Sequence, residues 1–321
     1  MTRDPTRWRF GLLGYGEVGR ILAEDLLARG VQGCVAYDRK LGTAQEGPLR
    51  AHAAAHGVGL AASHAELARQ SDLVISAVTA SQTVEAAREC AAALPQGVWF
   101  LDLNSASPGS ERRAAALIEQ AGGRYVESAV MTSVPPHRIR VPMLLGGAHA
   151  AELQPWLAAL GFSTRVLEGE LGLASASKMC RSVMIKGLEA MLIESLTAAR
   201  AYGVEEAVLQ SLAETFPGID WPHQASYFLQ RVIEHGRRRA EEMREVARTV
   251  EEAGLEAWSA SGTAERQAWM AGLADAGVFG VRGSPEFARS PDWRTEADRI
   301  LEHVRASASQ GPCTGDIADE H

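Results

Sequence analysis

The stretch that decides the fold spans residues 9–19 and reads Arg9-Phe10-Gly11-Leu12-Leu13-Gly14-Tyr15-Gly16-Glu17-Val18-Gly19. An apolar segment leads into three glycines spaced as GxGxxG, and a helical pattern follows from Val18 to Arg29. Gly14 makes the tight turn, Gly16 lets backbone N–H groups approach a pyrophosphate, and Gly19 permits close packing of helix against strand. The stretch therefore predicts a strand–turn–helix unit for a dinucleotide, although some methyltransferases use the same geometry for adenosylmethionine.

An acidic residue, Asp38, ends the next apolar run 19 residues after Gly19. A carboxylate there can accept hydrogen bonds from the ribose hydroxyls and repels a 2′-phosphate, which favours NAD. Arg39 and Lys40 follow directly and could clamp that phosphate, so NADP stays possible. The predicted cofactor-binding residues are Gly14, Tyr15, Gly16, Glu17, Val18, Gly19, Asp38, Arg39, Val78, Thr79, Asn104 and Ser105.

Short apolar runs alternate with alanine-rich helical patterns through the first half of the chain. This alternation predicts a doubly wound parallel sheet of the Rossmann type over residues 1–168. The second half is nearly all helical in pattern, with long helices predicted over Ser175–Tyr202 and His223–Ala253. We therefore predict an α/β domain, an all-α domain over residues 169–305 with long inter-domain helices, and a disordered tail over residues 306–321.

Composition excludes several classes of protein. The 321 residues carry a net charge of −8 and are 46% hydrophobic, which is typical of an ordinary globular protein and disfavours nucleic acid as a partner. No apolar run reaches the roughly 18 residues of a membrane span, and the charged N-terminus does not read as a signal peptide. Neither the four cysteines nor the nine histidines have metal-ligand spacing. We expect a cytoplasmic protein with no metal and no membrane partner.

Lysine is rare in this chain. There are only three lysines, Lys40, Lys178 and Lys186, among 32 basic residues. A lysine here can mark a position where an amine is needed and a guanidinium will not serve, because only the amine gives up its proton readily.

Three motifs together resemble those of the β-hydroxyacid dehydrogenase superfamily, which includes 6-phosphogluconate and 3-hydroxyisobutyrate dehydrogenases. They are Gly14–Gly19, the run Asp102–Pro108, and Ala176-Ser177-Lys178 at the start of a long helix. The second half is most similar to a poorly characterised branch of phosphogluconate-dehydrogenase-like oxidoreductases. The resemblance covers most of the chain and implies a cleft between two domains, a small anionic substrate and a homodimer.

The resemblance also implies that Lys178 is the general acid/base. A lysine can do this work where burial and neighbouring cations lower its pKa towards neutrality. Ser182 and Lys186 follow at i+4 and i+8, so the three side chains share one broad helix face. We expect Ser182 and Lys186 to contact the substrate.

The sequence departs from the family pattern at two places. Ser182 stands where relatives have asparagine, and Met131, Thr132 and Ser133 replace a Ser-Gly-Gly that grips the substrate carboxylate in relatives. A standard small 3-hydroxy acid is therefore not the expected substrate.

Two arginines of the second long helix, Arg238 and Arg239, are further candidates. Arginine pairs recognise carboxylates or phosphates bidentately. The alternative is a solvated charged face, paired with the glutamates nearby.

We therefore expect an NAD(P)-dependent oxidoreductase that transfers hydride between nicotinamide and a hydroxy acid or a related alcohol or aldehyde, with Lys178 as general acid/base. Two alternatives stay open: an imine or keto-acid reductase on the same fold, and a dinucleotide-binding sensor without catalysis. The predicted substrate-binding residues are Met131, Thr132, Ser133, Ser182, Lys186, Arg238 and Arg239.

Overall fold

Eight strands form one sheet in the first half of the chain. The computed structural model describes residues 4–167, 170–285, 287–288 and 290–309. The strands are β1 Arg9–Leu13, β2 Gly33–Tyr37, β3 Gly59–Leu60, β4 Leu73–Ser76, β5 Trp99–Asp102, β6 Arg124–Val130, β7 Pro142–Gly146 and β8 Ser163–Val166.

The strand order across the sheet is β3-β2-β1-β4-β5-β6-β7-β8. All neighbours run parallel except β6 and β7, which run antiparallel. The prediction of a doubly wound Rossmann sheet is confirmed, with the correction that the sheet is not wholly parallel. The 11 residues between β6 and β7 hold only a short helix and a 3-10 turn. Such a connection is too short for the crossover that parallel neighbours require.

Twelve α-helices accompany the sheet in the described part of the chain. They are α1 Glu17–Ala28, α2 Gly47–His56, α3 His64–Gln70, α4 Thr83–Ala91, α5 Pro108–Gln120, α6 Val134–His137, α7 Ala150–Ala159, α8 Leu173–Tyr202, α9 Glu205–Thr215, α10 Trp221–Glu252, α11 Trp258–Asp275 and α12 Trp293–Ser309. The two predicted long helices, α8 and α10, are present with bounds shifted by one or two residues. None of the described helices combines the length and the apolar character needed to cross a bilayer.

The core of the sheet consists of its central strands. Every residue of β4 and β5 is buried, and so is β1 after its first residue. Strands covered on both faces read as continuous apolar runs, which is why these were recognisable from sequence. The strand order reverses between β1 and β4, and ligands of open α/β sheets bind at the carboxyl ends of the strands at such a point.

The described residues fall into two compact units. The first lies within Met1–Val183 and Glu241–Ala260, and the second within Met184–Ala240 and Ser261–His321. Both long helices thus contribute to both units, and the predicted domain boundary at residue 168 stays a prediction. Helix α12 continues to Ser309, four residues into the predicted disordered tail, because its pattern remains helical to that point. Residues 310–321 lie outside the described residues.

Candidate functional site

The three glycines after β1 differ in what they make possible. Gly14 has φ +89°, and a Cβ there would lie 2.4 Å from the carbonyl oxygen of Ala77. A Cβ on Gly19 would lie 2.2 Å from the carbonyl oxygen of Gly14. A Cβ on Gly16, in contrast, would meet no heavy atom within 4 Å. The fold itself needs Gly14 and Gly19, whereas Gly16 leaves open space at the start of α1, where free N–H groups favour an anion.

Asp38 is held in place at the end of β2. Its Oδ2 accepts a hydrogen bond from the N–H of Tyr15 at 2.9 Å, and its Oδ1 accepts one from the N–H of Lys40 at 2.9 Å. The neighbouring Arg39 is exposed and donates to Gln82. The carboxylate therefore lies beside the glycine loop, at the end of the strand where dinucleotide-binding folds carry the acid that contacts the ribose.

The side chain of Tyr15 is turned into the core rather than towards a ligand. It is fully buried, its hydroxyl lies 2.8 Å from Nδ1 of His52, and burial raises its pKa to about 12. Nε2 of His52 lies 2.9 Å from Oε1 of Glu24, whose other oxygen accepts from Arg138 at 2.7 Å. The Tyr15 side chain anchors the glycine loop to α1 and α2 and does not face a ligand, so the predicted cofactor contact of Tyr15 stays a prediction for its backbone alone.

The sequence analysis predicted no metal site, yet Glu24, His52 and His56 present potential ligand atoms within 4.8 Å of one another. The i, i+4 spacing of the two histidines, which the sequence analysis passed over, puts them on one face of α2. Their rings are stacked at 4.4 Å, and Glu24 is paired with Arg138, which also pairs with Asp25. We assign this group to the anchoring of Tyr15.

Asn104 ties the loops after β4 and β5 together. Its side-chain oxygen accepts from the N–H of Val78 at 2.8 Å, and its amide nitrogen donates to Ser76 Oγ at 3.0 Å. Its own N–H donates to Oδ1 of Asp102 at 2.8 Å. Asn104 is buried, so its side chain holds these two loops in place. Thr79, in the loop after β4, is exposed.

Lys178 meets the loop after β5. It lies in the second turn of α8, is half-buried, and its Nζ donates to Ser105 Oγ at 2.6 Å. Ser182, one turn further, is buried. The fold therefore brings an amine to the carboxyl edge of the sheet, next to the loops predicted to bind the cofactor.

Residues 131–133, which were predicted to bind the substrate, follow directly after β6. The N–H of Met131 donates to the carbonyl oxygen of Pro142 at 3.0 Å, and Thr132 and Ser133 are exposed. Met131 lines an open depression of about 310 Å³ together with residues of β7 and β8. A larger depression of about 470 Å³ is lined by residues at the amino ends of β1, β4, β5 and β6, at the edge opposite the glycine loop.

In the second unit, Arg239 is buried, only 3% exposed, and forms an ion pair with the buried Glu189. Arg238 is exposed, and Lys186 is buried. The prediction of an arginine pair on one face is therefore corrected. Successive residues of a helix point about 100° apart. Arg239 therefore points into the interior of the second unit, while Arg238 points to solvent.

Sequence reasoning missed a group of buried acids. Asp102, Glu111 and Glu127 are each at most 2% exposed, and so is Tyr125, which contacts two of them. Glu245 of α10 is also buried and accepts from the N–H of Ser107 at 2.8 Å. The available signal was an acid within an otherwise apolar strand, as in Trp-Phe-Leu-Asp over residues 99–102.

Comparison with known families places this site in context. Residues 9–166 match the family described as the NAD binding domain of 6-phosphogluconate dehydrogenase. Residues 199–270 match a domain of unknown function, DUF1932. A conserved hypothetical protein from Sinorhizobium meliloti 1021 is 38% identical; the alignment covers 92% of this chain and 96% of that one, with a TM-score of 0.69. A second solved protein, of unknown function and described as structurally similar to 3-hydroxyacid dehydrogenases, is 32% identical over 83% of this chain and 99% of its own, with a TM-score of 0.62.

The chain belongs to the β-hydroxyacid dehydrogenase superfamily. This membership confirms the predicted resemblance and the NAD(P) cofactor class, and it supports an oxidoreductase as the class of protein. The 3-hydroxyisobutyrate dehydrogenase of Mycobacterium tuberculosis, solved with L-serine, shares the fold at 18% identity over 92% of this chain and 99% of its own, with a TM-score of 0.66. The residues of this site fit a dinucleotide. Gly16 leaves the approach to the start of α1 open, and Asp38 is held beside the glycine loop.

Proposed function

We propose that this superfamily member transfers hydride between NAD(P) and a hydroxy acid or a related alcohol or aldehyde, with Lys178 as general acid/base. The observation that carries the proposal is the 2.6 Å contact of Lys178 Nζ with Ser105 Oγ. Ser105 follows the buried Asn104, which ties the loops beside the dinucleotide site together. This contact supports the proposal, because it holds the amine beside the loops at which a substrate hydroxyl next to the nicotinamide would need a proton acceptor.

In the proposed reaction, Lys178 and Ser105 act on the substrate proton, and Asp38 and Gly16 hold the cofactor. When bound, the nicotinamide accepts hydride from the carbinol carbon or returns it in reduction. Lys178 Nζ takes the hydroxyl proton during oxidation and gives it back during reduction. The Ser105 hydroxyl fixes the direction of Nζ, and Asp38 holds the adenosine ribose. Gly16, with the N–H groups at the start of α1, accommodates the pyrophosphate.

We propose further that the substrate is small and anionic. Met131, Thr132, Ser133 and Ser182 are its proposed contacts in the first unit. Lys186 and Arg238, in the second unit, stay predicted contacts from the sequence, whereas the charge of Arg239 is already balanced by the buried Glu189. Because Met131 stands where relatives have serine, the carboxylate of the substrate meets an apolar side chain rather than a hydroxyl.

The cofactor preference is tested by titrating the protein with NADH and, separately, with NADPH. We expect NADH to bind more tightly, because the carboxylate of Asp38 repels a 2′-phosphate. The variant Asp38→Asn is expected to reduce the NADH-to-NADPH preference at least about tenfold, or 1.4 kcal/mol. Arg39→Ala is the companion variant. A loss of NADPH binding larger than the loss of NADH binding in Arg39→Ala would instead assign the phosphate to Arg39.

Turnover distinguishes the proposed dehydrogenase from its two alternatives. The titrated protein is then assayed with a panel of hydroxy acids, alcohols, aldehydes, keto acids and preformed imines. Oxidation of a hydroxy acid or alcohol, or the reverse reduction, supports the proposal. Reduction of imines alone would assign an imine reductase, and tight cofactor binding with no turnover on any class would favour a sensor.

We propose that the protein is a homodimer. In the second unit, α8 exposes Met184 and Met191, which are 72% and 63% accessible and one heptad apart. Large apolar side chains on one helix face favour burial against another surface. Light scattering is expected to give twice the chain mass of 34.4 kDa. The double variant Met184→Glu with Met191→Glu is expected to give the single chain mass, and Glu194→Gln, on the same helix, serves as its control.

A further inference from the structure

Four buried ionisable side chains form a set in the first unit, within electrostatic range of Lys178. Asp102 ends β5, Glu111 belongs to α5, and Tyr125 and Glu127 belong to β6; all four are at most 2% exposed. The charges of the three acids act on one another, and that of Lys178 acts on both Asp102 and Glu111. Burial of carboxylates is costly unless they are paired or protonated. The hydride-transfer site proposed above does not use this set.

Hydrogen-bond counting requires a proton in this set. The Tyr125 hydroxyl lies 3.1 Å from Asp102 Oδ2 and 2.6 Å from Glu111 Oε2. A tyrosine hydroxyl has one proton, so it donates to only one of the two carboxyls. The second contact forms only if the other carboxyl donates its own proton to the tyrosine oxygen. The two acids therefore share at least one proton.

The surroundings place that proton on Glu111. Asp102 Oδ1 already accepts the N–H of Asn104, which favours the charged form of Asp102. Burial raises the pKa of Asp102 to about 7, and burial with the charge of Asp102 raises that of Glu111 well above its usual range. Glu111 thus donates to Tyr125, and Tyr125 donates to Asp102.

Glu127 connects this set to the helix that carries Lys178. Its Oε1 accepts the N–H groups of Gly172 and Ala174, at 2.9 and 3.1 Å, where α8 begins. Its other oxygen is buried and accepts no hydrogen bond among the described residues. Burial raises the pKa of Glu127, and the two N–H groups oppose that rise. Lys178 lies one turn after Ala174, so Glu127 holds the start of the helix that carries the amine.

A second connection runs through the loop after β5. The bond from the N–H of Asn104 to Asp102 fixes the turn that carries Ser105. Ser105 Oγ in turn accepts from Lys178 Nζ. Asp102 is therefore linked to Lys178 both by the geometry of this turn and by charge.

We propose that Asp102 is a positioning residue for Lys178, and that the proton it shares with Tyr125 and Glu111 sets the charge state in which Lys178 meets the substrate. This inference rests on the role proposed for Lys178. While Asp102 is charged, it stabilises the ammonium form of Lys178. When the acid pair takes up a second proton, that counter-charge disappears and Lys178 releases its proton more readily.

The rarity of lysine makes a direct test practical. Reductive methylation with ¹³C-formaldehyde labels a protein with only three lysines, and Lys40→Arg and Lys186→Arg identify the Lys178 signal. The ¹³C shift of Lys178 is followed against pH in the full chain, without any substrate. Asp102→Asn is expected to lower the titration midpoint of Lys178 by at least about half a pH unit, since a nearby opposite charge is lost. The exposed Lys40 serves as an internal reference in the same spectra.

Three further variants sharpen the result. Tyr125→Phe removes the donor to Asp102 and is expected to lower the midpoint by a smaller amount. Glu111→Gln is expected to shift it less than Asp102→Asn, because Glu111 already holds the proton. The control is Glu85→Gln, an exposed acid paired with Arg88. If Asp102→Asn does not fold, Tyr125→Phe decides the question.

The inference is overturned if Asp102→Asn and Tyr125→Phe both leave the Lys178 midpoint within about 0.2 pH unit of the unaltered protein. It is also overturned if Glu85→Gln shifts the midpoint as much as Asp102→Asn. Neither result tests the proposed reaction itself. That reaction is tested by the activity of Lys178→Ala. An active Lys178→Ala protein would refute the role of Lys178 whatever the titration shows.

Discussion

Replacing Lys178 by alanine is expected to reduce hydride transfer at least about 10³-fold, within the range by which general acid–base groups contribute. The affinity for NADH or NADPH is expected to stay within about twofold, because the pyrophosphate and ribose contacts proposed for Gly16 and Asp38 do not involve the amine. Steady-state kinetics with any substrate found in the panel measure the first quantity. A fluorescence titration measures the second.

Lys178→Arg separates proton transfer from positive charge. A guanidinium keeps the charge but does not give up its proton in proteins, so this variant is expected to be nearly as inactive as Lys178→Ala. Lys40→Ala, at an exposed position, is the matched lysine control and is expected to retain full activity with NADH, which has no 2′-phosphate for Lys40 to contact. Substantial activity in Lys178→Arg would assign the residue to charge stabilisation alone, and an unchanged rate in Lys178→Ala would refute any catalytic role.

Alanine at Gly16 is expected to weaken dinucleotide binding at least about tenfold while the fold persists. A Cβ there meets no heavy atom within 4 Å, and Gly16 has φ −78°, which alanine adopts freely. The cost in unfolding free energy is about 1 kcal/mol or less, since only the helix cap changes. The new methyl group instead fills the space where a pyrophosphate approaches the start of α1.

Gly14→Ala is expected to behave in the opposite way. Its φ of +89° and the 2.4 Å approach to the Ala77 carbonyl predict a loss of about 3 kcal/mol or more in unfolding free energy. Thermal unfolding and cofactor titration of both variants provide the comparison, with Gly33→Ala as a control glycine that has open space around it. Unchanged cofactor affinity in Gly16→Ala would place the dinucleotide elsewhere.

Much of the fold was predictable because it depends on local rules. The apolar runs of β1, β4 and β5 are buried on both faces, so their sequences are continuous and easy to recognise. The starts and ends of α5 and α8 carry ordinary signals, such as Ser107 before Pro108 and Gly203 after Tyr202. Elements with weak patterns were not recognised, among them α2, the two-residue β3 and the edge strand β8.

The sequence by itself determined the dinucleotide loop and the sheet that supports it, and the family resemblance singled out Lys178 among three lysines as the proposed general acid/base. Glycine spacing and the meeting of parallel strands at one edge both follow from backbone geometry, which neighbouring residues specify. Only the tertiary structure decided that Lys178 meets Ser105, 73 residues away, and that Tyr15 turns inward. It alone showed that Arg239 forms a buried ion pair and that Asp102, Glu111 and Glu127 are buried together in the first unit. The reason is that charge and burial depend on which distant segments pack together, and no local pattern encodes that choice.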